Sequence, residues 1–280
     1  MSEVQTLGVL RDAFALGMVA LAIALGVYAW IRAKTGQCWN YEGNVLTRAY
    51  DYGDGLIALI LMGFFAMAFV AAAPAPNGGA AETASKPEAA SVFGLVVNEM
   101  FMVGLCIALL MYLRFFRDLS PAELFGLRNL RPAAAAGWAA LWVVGAWVVI
   151  NAAILFLMWM HHPWPQDAPQ ELVQEFADSP SVIFKLALAV TAIGIAPLTE
   201  ELIFRGFFYG ITKRFTDRWF ACLLTSLMFA LVHHNVGTLL PLFILAIGFS
   251  IAYEVTGCLL VPMFMHSMFN AFNVIELARS

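Results

Sequence analysis

Four stretches in the first 160 residues run long and almost uncharged: Ala13–Ile31, Gly55–Ala73, Val92–Leu113 and Ala133–Met160. At about 1.5 Å of helical rise per residue, each can cross a hydrocarbon layer roughly 30 Å thick. Only Asn98 and Glu99 interrupt the third run, and only Asn151 lies inside the fourth. The 280 residues are 62% apolar and 12% charged, against roughly 25% charged in soluble domains. One globule of this length cannot hide that much apolar surface, which argues against a soluble cytosolic enzyme and for a lipid-facing exterior. A formal charge of −4 also argues against nucleic acid, which calls for a basic face. Cys38, Cys106, Cys222 and Cys258 are far apart and form no CxxC pair, so neither a disulfide framework nor a thiolate zinc site is indicated.

The second half is apolar too, but polar groups interrupt it. A helix starting near Ser181 carries Lys185, Glu200, Glu201 and Arg205; Trp219–Val232 leads into His233 and His234. Leu239–Tyr253 ends at Glu254, and Leu259–Val274 contains His266, Asn270 and Asn273. Hydropathy alone is expected to score these four spans poorly. Ionisable groups at membrane depth usually mark a site or a pathway. Between spans, 74–90 reads as a flexible linker, 161–179 is acidic without Lys or Arg, and Ser120-Pro121-Ala122-Glu123 reads as a capped surface helix. Cations concentrate after the first (Arg32, Lys34, Arg48), third (Arg114, Arg117, Arg128, Arg131) and fifth spans (Lys213, Arg214, Arg218). The positive-inside rule then puts odd-numbered loops in the cytoplasm and both termini outside. The first run is read as a span and not a removable leader, because it lacks a strongly basic front and more spans follow.

Glu200 and Glu201 project about 100° apart on a helix and cannot serve one cavity equally. Glu201 and Arg205 are spaced i, i+4, acid first, the favourable order for a pair. Glu200 is left without a neutralising neighbour on its own helix, and a carboxylate so placed at low dielectric suits general-base work. Phe229 shares a stripe with His233, while His234 faces another sector and reads as structural. His266 and Asn270, again i, i+4, offer a ring nitrogen and an amide that can both donate to an oxyanion. One shared cavity is expected to collect Glu200, His233, His266 and Asn270. Such a set hydrolyses an amide with water held by acid and imidazole. Two histidines and a carboxylate are also a catalytic zinc set, but the HExxH spacing is missing and the ligands would have to converge from three helices. The metal-free reading comes first. Serine or cysteine catalysis at Ser226, Ser250, Ser267 or Cys222 ranks lower, since no nucleophile–base pairing is visible.

Glu200-Glu201-x-x-x-Arg205, Phe229-x-x-x-His233 and His266-x-x-x-Asn270, in this order, resemble the CAAX protease and bacteriocin-processing (CPBP, or ABI) family of glutamic-type intramembrane endopeptidases. Ala196-Pro197, Phe204-Arg205-Gly206 and Tyr253-Glu254-x-Thr256-Gly257 leading to Pro262 are similar as well, so the resemblance covers about 173–273. It implies an all-helical core with a conical cavity. Glu200 and His233 would activate water, His266 and Asn270 would hold the oxyanion, and Glu201, Arg205 and Phe229 would support them. Eukaryotic members of that family trim prenylated CAAX proteins, and bacterial members act on other peptides or confer immunity to bacteriocins.

The expectation is therefore an all-α, polytopic membrane bundle of about eight transmembrane helices. Residues 1–160 supply four spans and 161–280 a catalytic core, in one integrated membrane domain. The expected activity is endoproteolysis of a membrane-associated peptide or protein in the lipid bilayer, without a cofactor, in a bacterial inner membrane. A non-proteolytic immunity or scaffold protein is the alternative, then a zinc-dependent protease, then a proton-coupled transporter. One geometric tension accompanies this reading: Glu200 lies about 29 Å along its helix from Ser181, and His233 about 21 Å from Trp219. They reach one depth only if the first helix tilts or starts outside the bilayer.

Overall fold

The computed structural model describes residues 43–72, 88–160, 179, 181–233 and 235–279. Among them the chain is helical with no strand, as the apolar runs require: in lipid, a helix satisfies its own backbone hydrogen bonds. The helices are α1 (Tyr52–Ala72), α2 (Glu88–Met111, continued by a π turn at Tyr112–Phe116), the short α3 (Pro121–Leu124), α4 (Pro132–Trp159), α5 (Val182–Phe215), α6 (Arg218–Leu231), α7 (Val236–Thr256) and α8 (Leu260–Arg279). Seven of the expected spans thus have a helix; Ala13–Ile31 lies outside the described residues, as does His234.

Several local expectations need correction. The helix of α2 begins at Glu88, inside the linker expected over 74–90. Both α5 and α7 are apolar enough to span a membrane, because their few polar groups are diluted by Ile, Leu and Phe. α6 is apolar but short, and α8 does not qualify. Ser120 does sit at the N-cap with Pro121 in the first turn, yet its side chain makes no capping bond. Its carbonyl takes the Glu123 and Leu124 N–H groups instead.

α6 packs along α7, and α4 lies against both α7 and α8. α5 threads between α2, α6 and α8 and contains two wide π turns, Thr191–Ile195 and Leu202–Tyr209. The exterior is apolar: Leu141, Val148 and Leu155 of α4 and Leu186 and Val190 of α5 are all exposed. The interior holds Glu201, Arg205 and Lys213 at 0% exposure. Such a reversal suits a lipid solvent.

Cations of separate loops meet at one end of this bundle. Arg117 ties to Asp54 through two bonds of 3.0 and 3.1 Å and to the Ala49 carbonyl at 3.1 Å, while Tyr112 donates to Asp54 at 2.8 Å. Lys213 binds Glu254 at 2.7 Å and reaches the Val45 carbonyl, and Arg214 bonds the Tyr50 carbonyl. Beside them, the Asp54 N–H holds the Asp51 carboxyl below its ordinary range, helped by Arg117 and the Gly53 N–H. That contribution is present above the usual carboxylate range and fades as pH falls through the lowered value. Gly257 closes α7 with φ +60°, which a side chain rarely adopts, and donates its N–H to the Tyr253 carbonyl at 2.7 Å. Asp54 is wholly buried, so Asp54→Asn takes the inner negative charge from Arg117 and leaves it only the more exposed Asp51 at 2.8 Å. A stability loss of about 3 kcal/mol is expected, read as a lowered unfolding midpoint in detergent.

Candidate active site

Arg205 is the centre of the polar interior. Its guanidinium lies between two rings, 4.5 Å from the centroid of Phe229 on α6 and 5.0 Å from that of Phe249 on α7. One terminal nitrogen donates to Glu201 Oε1 at 3.0 Å, and the other to the Ala246 carbonyl at 3.1 Å. The i, i+4 pair expected from the sequence is therefore formed, with both side chains at 0% exposure. Two ring faces and these polar contacts replace most of the water that a bare guanidinium would demand, while Nε has no hydrogen-bond partner among the described residues.

His266 of α8 joins this pair. Its Nδ1 stands 3.1 Å from Glu201 Oε1, the oxygen that already accepts from Arg205. A carboxylate paired with a guanidinium accepts, so Nδ1 donates here and Nε2 is the ring nitrogen not engaged by Glu201. The ring stacks on Phe249 at 5.3 Å and meets Phe229 edge-on at 5.6 Å. His233, at the end of α6, packs on Phe229 at 4.8 Å and sets Nδ1 2.7 Å from the Phe229 carbonyl. A carbonyl only accepts, so here too Nδ1 bears the hydrogen and neutral His233 presents a lone pair on Nε2. Phe229 thus touches Arg205, His233 and His266 together.

Asn270, one turn beyond His266, points its amide elsewhere: Nδ2 donates to the Ala192 carbonyl, inside the first π turn of α5, at 2.7 Å. Glu200 is half-buried, and its Oε2 is fully enclosed without a hydrogen-bond partner among the described residues. No hydrogen bond joins it to either histidine. Glu99 of α2 also has an enclosed, unpartnered oxygen, and it lies close enough for its charge to be felt with that of Glu200. Three contributors escape sequence reading: Phe249, the Ala246 carbonyl and the Ala192 carbonyl. A core phenylalanine and two backbone oxygens carry no chemical label in a sequence. Among the described residues, no three His, Cys, Asp or Glu side chains group as a metal ion would need.

The segment that carries these groups is similar to known proteins. The family described as “Type II CAAX prenyl endopeptidase Rce1-like” matches residues 181–272, the segment that contributes every group described above except Glu99. An “Uncharacterized 24.3 kDa protein” of Escherichia coli is 30% identical over 190 residues, covering 64% of this chain and 81% of that protein. A Bacillus subtilis (strain 168) protein named “Putative membrane peptidase YdiL” is 36% identical over 90 residues, 32% of this chain and 36% of that one. No solved structure matches. The chain belongs to the CPBP family. It is a multi-pass membrane protein of a family of membrane proteases.

In this CPBP protein the adjacent acids have different physical standing. Glu201 neutralises a buried cation, so Glu201→Ala leaves Arg205 charged without its counter-ion; a loss of roughly 3–5 kcal/mol is expected. Glu200 holds no hydrogen-bond partner at its enclosed oxygen, and Glu200→Gln is expected to change the unfolding midpoint in detergent by little, within about 0.5 kcal/mol. Comparing the two thermal transitions separates the structural acid from the free one.

Proposed function

We propose that the chain is an intramembrane endopeptidase that cleaves a membrane-associated peptide or protein with water activated by Glu200 and His233. The observation that carries this reading is that Glu200, unlike Glu201, makes no hydrogen bond to any described residue and keeps one oxygen enclosed, in a core where His233 spends Nδ1 on a backbone carbonyl. A water between them gives up its proton to Glu200, with His233 Nε2 holding the water's orientation. The water oxygen attacks the carbonyl carbon, and the former carbonyl oxygen becomes the oxyanion. Asn270 has a second Nδ2 hydrogen to offer it, since only one is spent on Ala192. His266 donates from Nε2 when that nitrogen carries a proton as well as Nδ1. The C–N bond then breaks, and the proton held by Glu200 passes to the departing amine, so no proton is gained or lost. Glu201 and Arg205 fix His266 and stay out of the bond changes. No metal is part of this scheme.

The matched relatives are both bacterial, which supports a place in a bacterial cell membrane. The loop cations gathered at one end support placing that end in the cytoplasm. The substrate class follows from access: a peptide reaches a site walled by lipid-facing helices only if it is itself apolar or membrane-anchored. Residues 161–280 would supply the catalytic core and 1–160 its supporting spans, in one domain.

Glu200→Gln and His233→Gln should each slow cleavage by at least about 10²-fold, the ordinary worth of a positioned acid or base. The measurement is a comparison of membrane peptidomes from wild-type and Glu200→Gln cells. Uncleaved precursors should accumulate in the variant and vanish on complementation. Full biological activity in a folded Glu200→Gln protein would instead favour a scaffold or immunity role. Cleavage in membranes prepared with a strong zinc chelator should match that in untreated membranes.

A further inference from the structure

Pro197 stands between the first π turn and the paired acids, in the middle of α5. Proline inside a helix offers no N–H and drives its ring against the carbonyl four residues back. Here the helix widens just before it: the Ala196 N–H donates to the Thr191 carbonyl, five residues back, and the turn Thr191–Ile195 is π-helical. A widened turn is the usual way a helix absorbs such a fault, and these turns recur at functional sites. The consequence falls on Ala192. In the π pattern its carbonyl should receive the N–H of residue 197, which is proline and has none. The N–H of Ala196 is already committed to Thr191. To that unclaimed carbonyl Asn270 sends its Nδ2, at 2.7 Å across the α5–α8 contact.

We infer that Pro197 is a positioning residue: by withholding one backbone hydrogen from the Ala192 carbonyl, it makes that oxygen the anchor that fixes the Asn270 amide for catalysis. This rests on the reading of Asn270 as an oxyanion donor. With one Nδ2 hydrogen held by Ala192, the amide plane is set and its second hydrogen has a defined direction. An untethered amide would rotate, and a donor misplaced by about an ångström loses most of its effect. Pro197 itself touches no reacting atom.

Pro197→Ala restores the missing N–H and lets the backbone compete with Asn270 for the carbonyl. Three measurements on the full-length protein test this: cleavage of the precursors that accumulate in Glu200→Gln cells, the unfolding midpoint in detergent, and hydrogen exchange of the new backbone amide at position 197. The expected result is cleavage slowed about 10- to 100-fold, a midpoint at or above that of the wild type, and protection of that new amide. A proline needed only for the fold predicts the opposite midpoint. In a double variant with Asn270→Ala, the Pro197→Ala change should cause no further slowing, because both act through one amide. Multiplying effects, undiminished cleavage, or a lowered midpoint with an unprotected amide at position 197 would each overturn the inference. If Asn270→Ala alone leaves cleavage intact, the oxyanion role fails, whereas a slow Asn270→Ala beside a fast Pro197→Ala condemns the proline's role alone. Should no precursor accumulate in Glu200→Gln cells, the peptidase reading falls, and exchange at position 197 together with the midpoint still decides whether Pro197 frees the Ala192 carbonyl.

Discussion

A guanidinium without access to water has to be neutralised, bonded and covered by groups from several helices at once. Arg205 imposes that demand on this bundle. Its answer is Glu201 from its own helix, the Ala246 carbonyl and Phe249 ring from α7, and the Phe229 ring from α6. His266 of α8 then adds a second bond to the same Glu201 oxygen, Oε1. Four helices are fixed at one depth by a single side chain. In a bundle whose outer surface is as apolar as the lipid, hydrophobic burial gives little preference for one register over another, and polar contacts of this kind supply it.

The same constraint separates two residues that are neighbours in the chain. Consecutive side chains on a helix diverge by about 100°, so only one of Glu200 and Glu201 can meet Arg205. Glu201 becomes part of the scaffold through Oε1, its other oxygen enclosed without a partner among the described residues, whereas Glu200 makes no hydrogen bond to any of them. The histidines divide in a parallel way. His233 spends Nδ1 on a backbone carbonyl and His266 spends it on a carboxylate, so in each ring Nε2 is the nitrogen not engaged by that contact. The backbone takes part as well. α5 is not a uniform helix: its π turns sit on either side of the Ala196–Glu201 turn that carries the acids, one of them turning a carbonyl toward Asn270. The first of these wide turns lies between Ser181 and Glu200 and alters the rise along that stretch, so a straight-helix count is a poor guide to the depth of Glu200.

Much of this was legible from residue order. Apolar runs of about twenty residues leave the backbone few choices in lipid, and seven of the expected spans are helices at nearly the expected bounds. The i, i+4 spacing of Glu201 with Arg205, and of Phe229 with His233, guaranteed that each pair would share a face, because helical geometry is local. Tertiary structure alone decided that His266 would bond Glu201, that Phe249 would complete the clamp on Arg205, and that Asn270 would find the carbonyl of Ala192. Those contacts join residues from 44 positions apart (Arg205 and Phe249) to 78 (Ala192 and Asn270), and spacing along the chain says nothing about which helices become neighbours or how far each is rotated. Helical period and the solvent's polarity are properties of a segment, whereas the pairing of buried charges is a property of the packed whole.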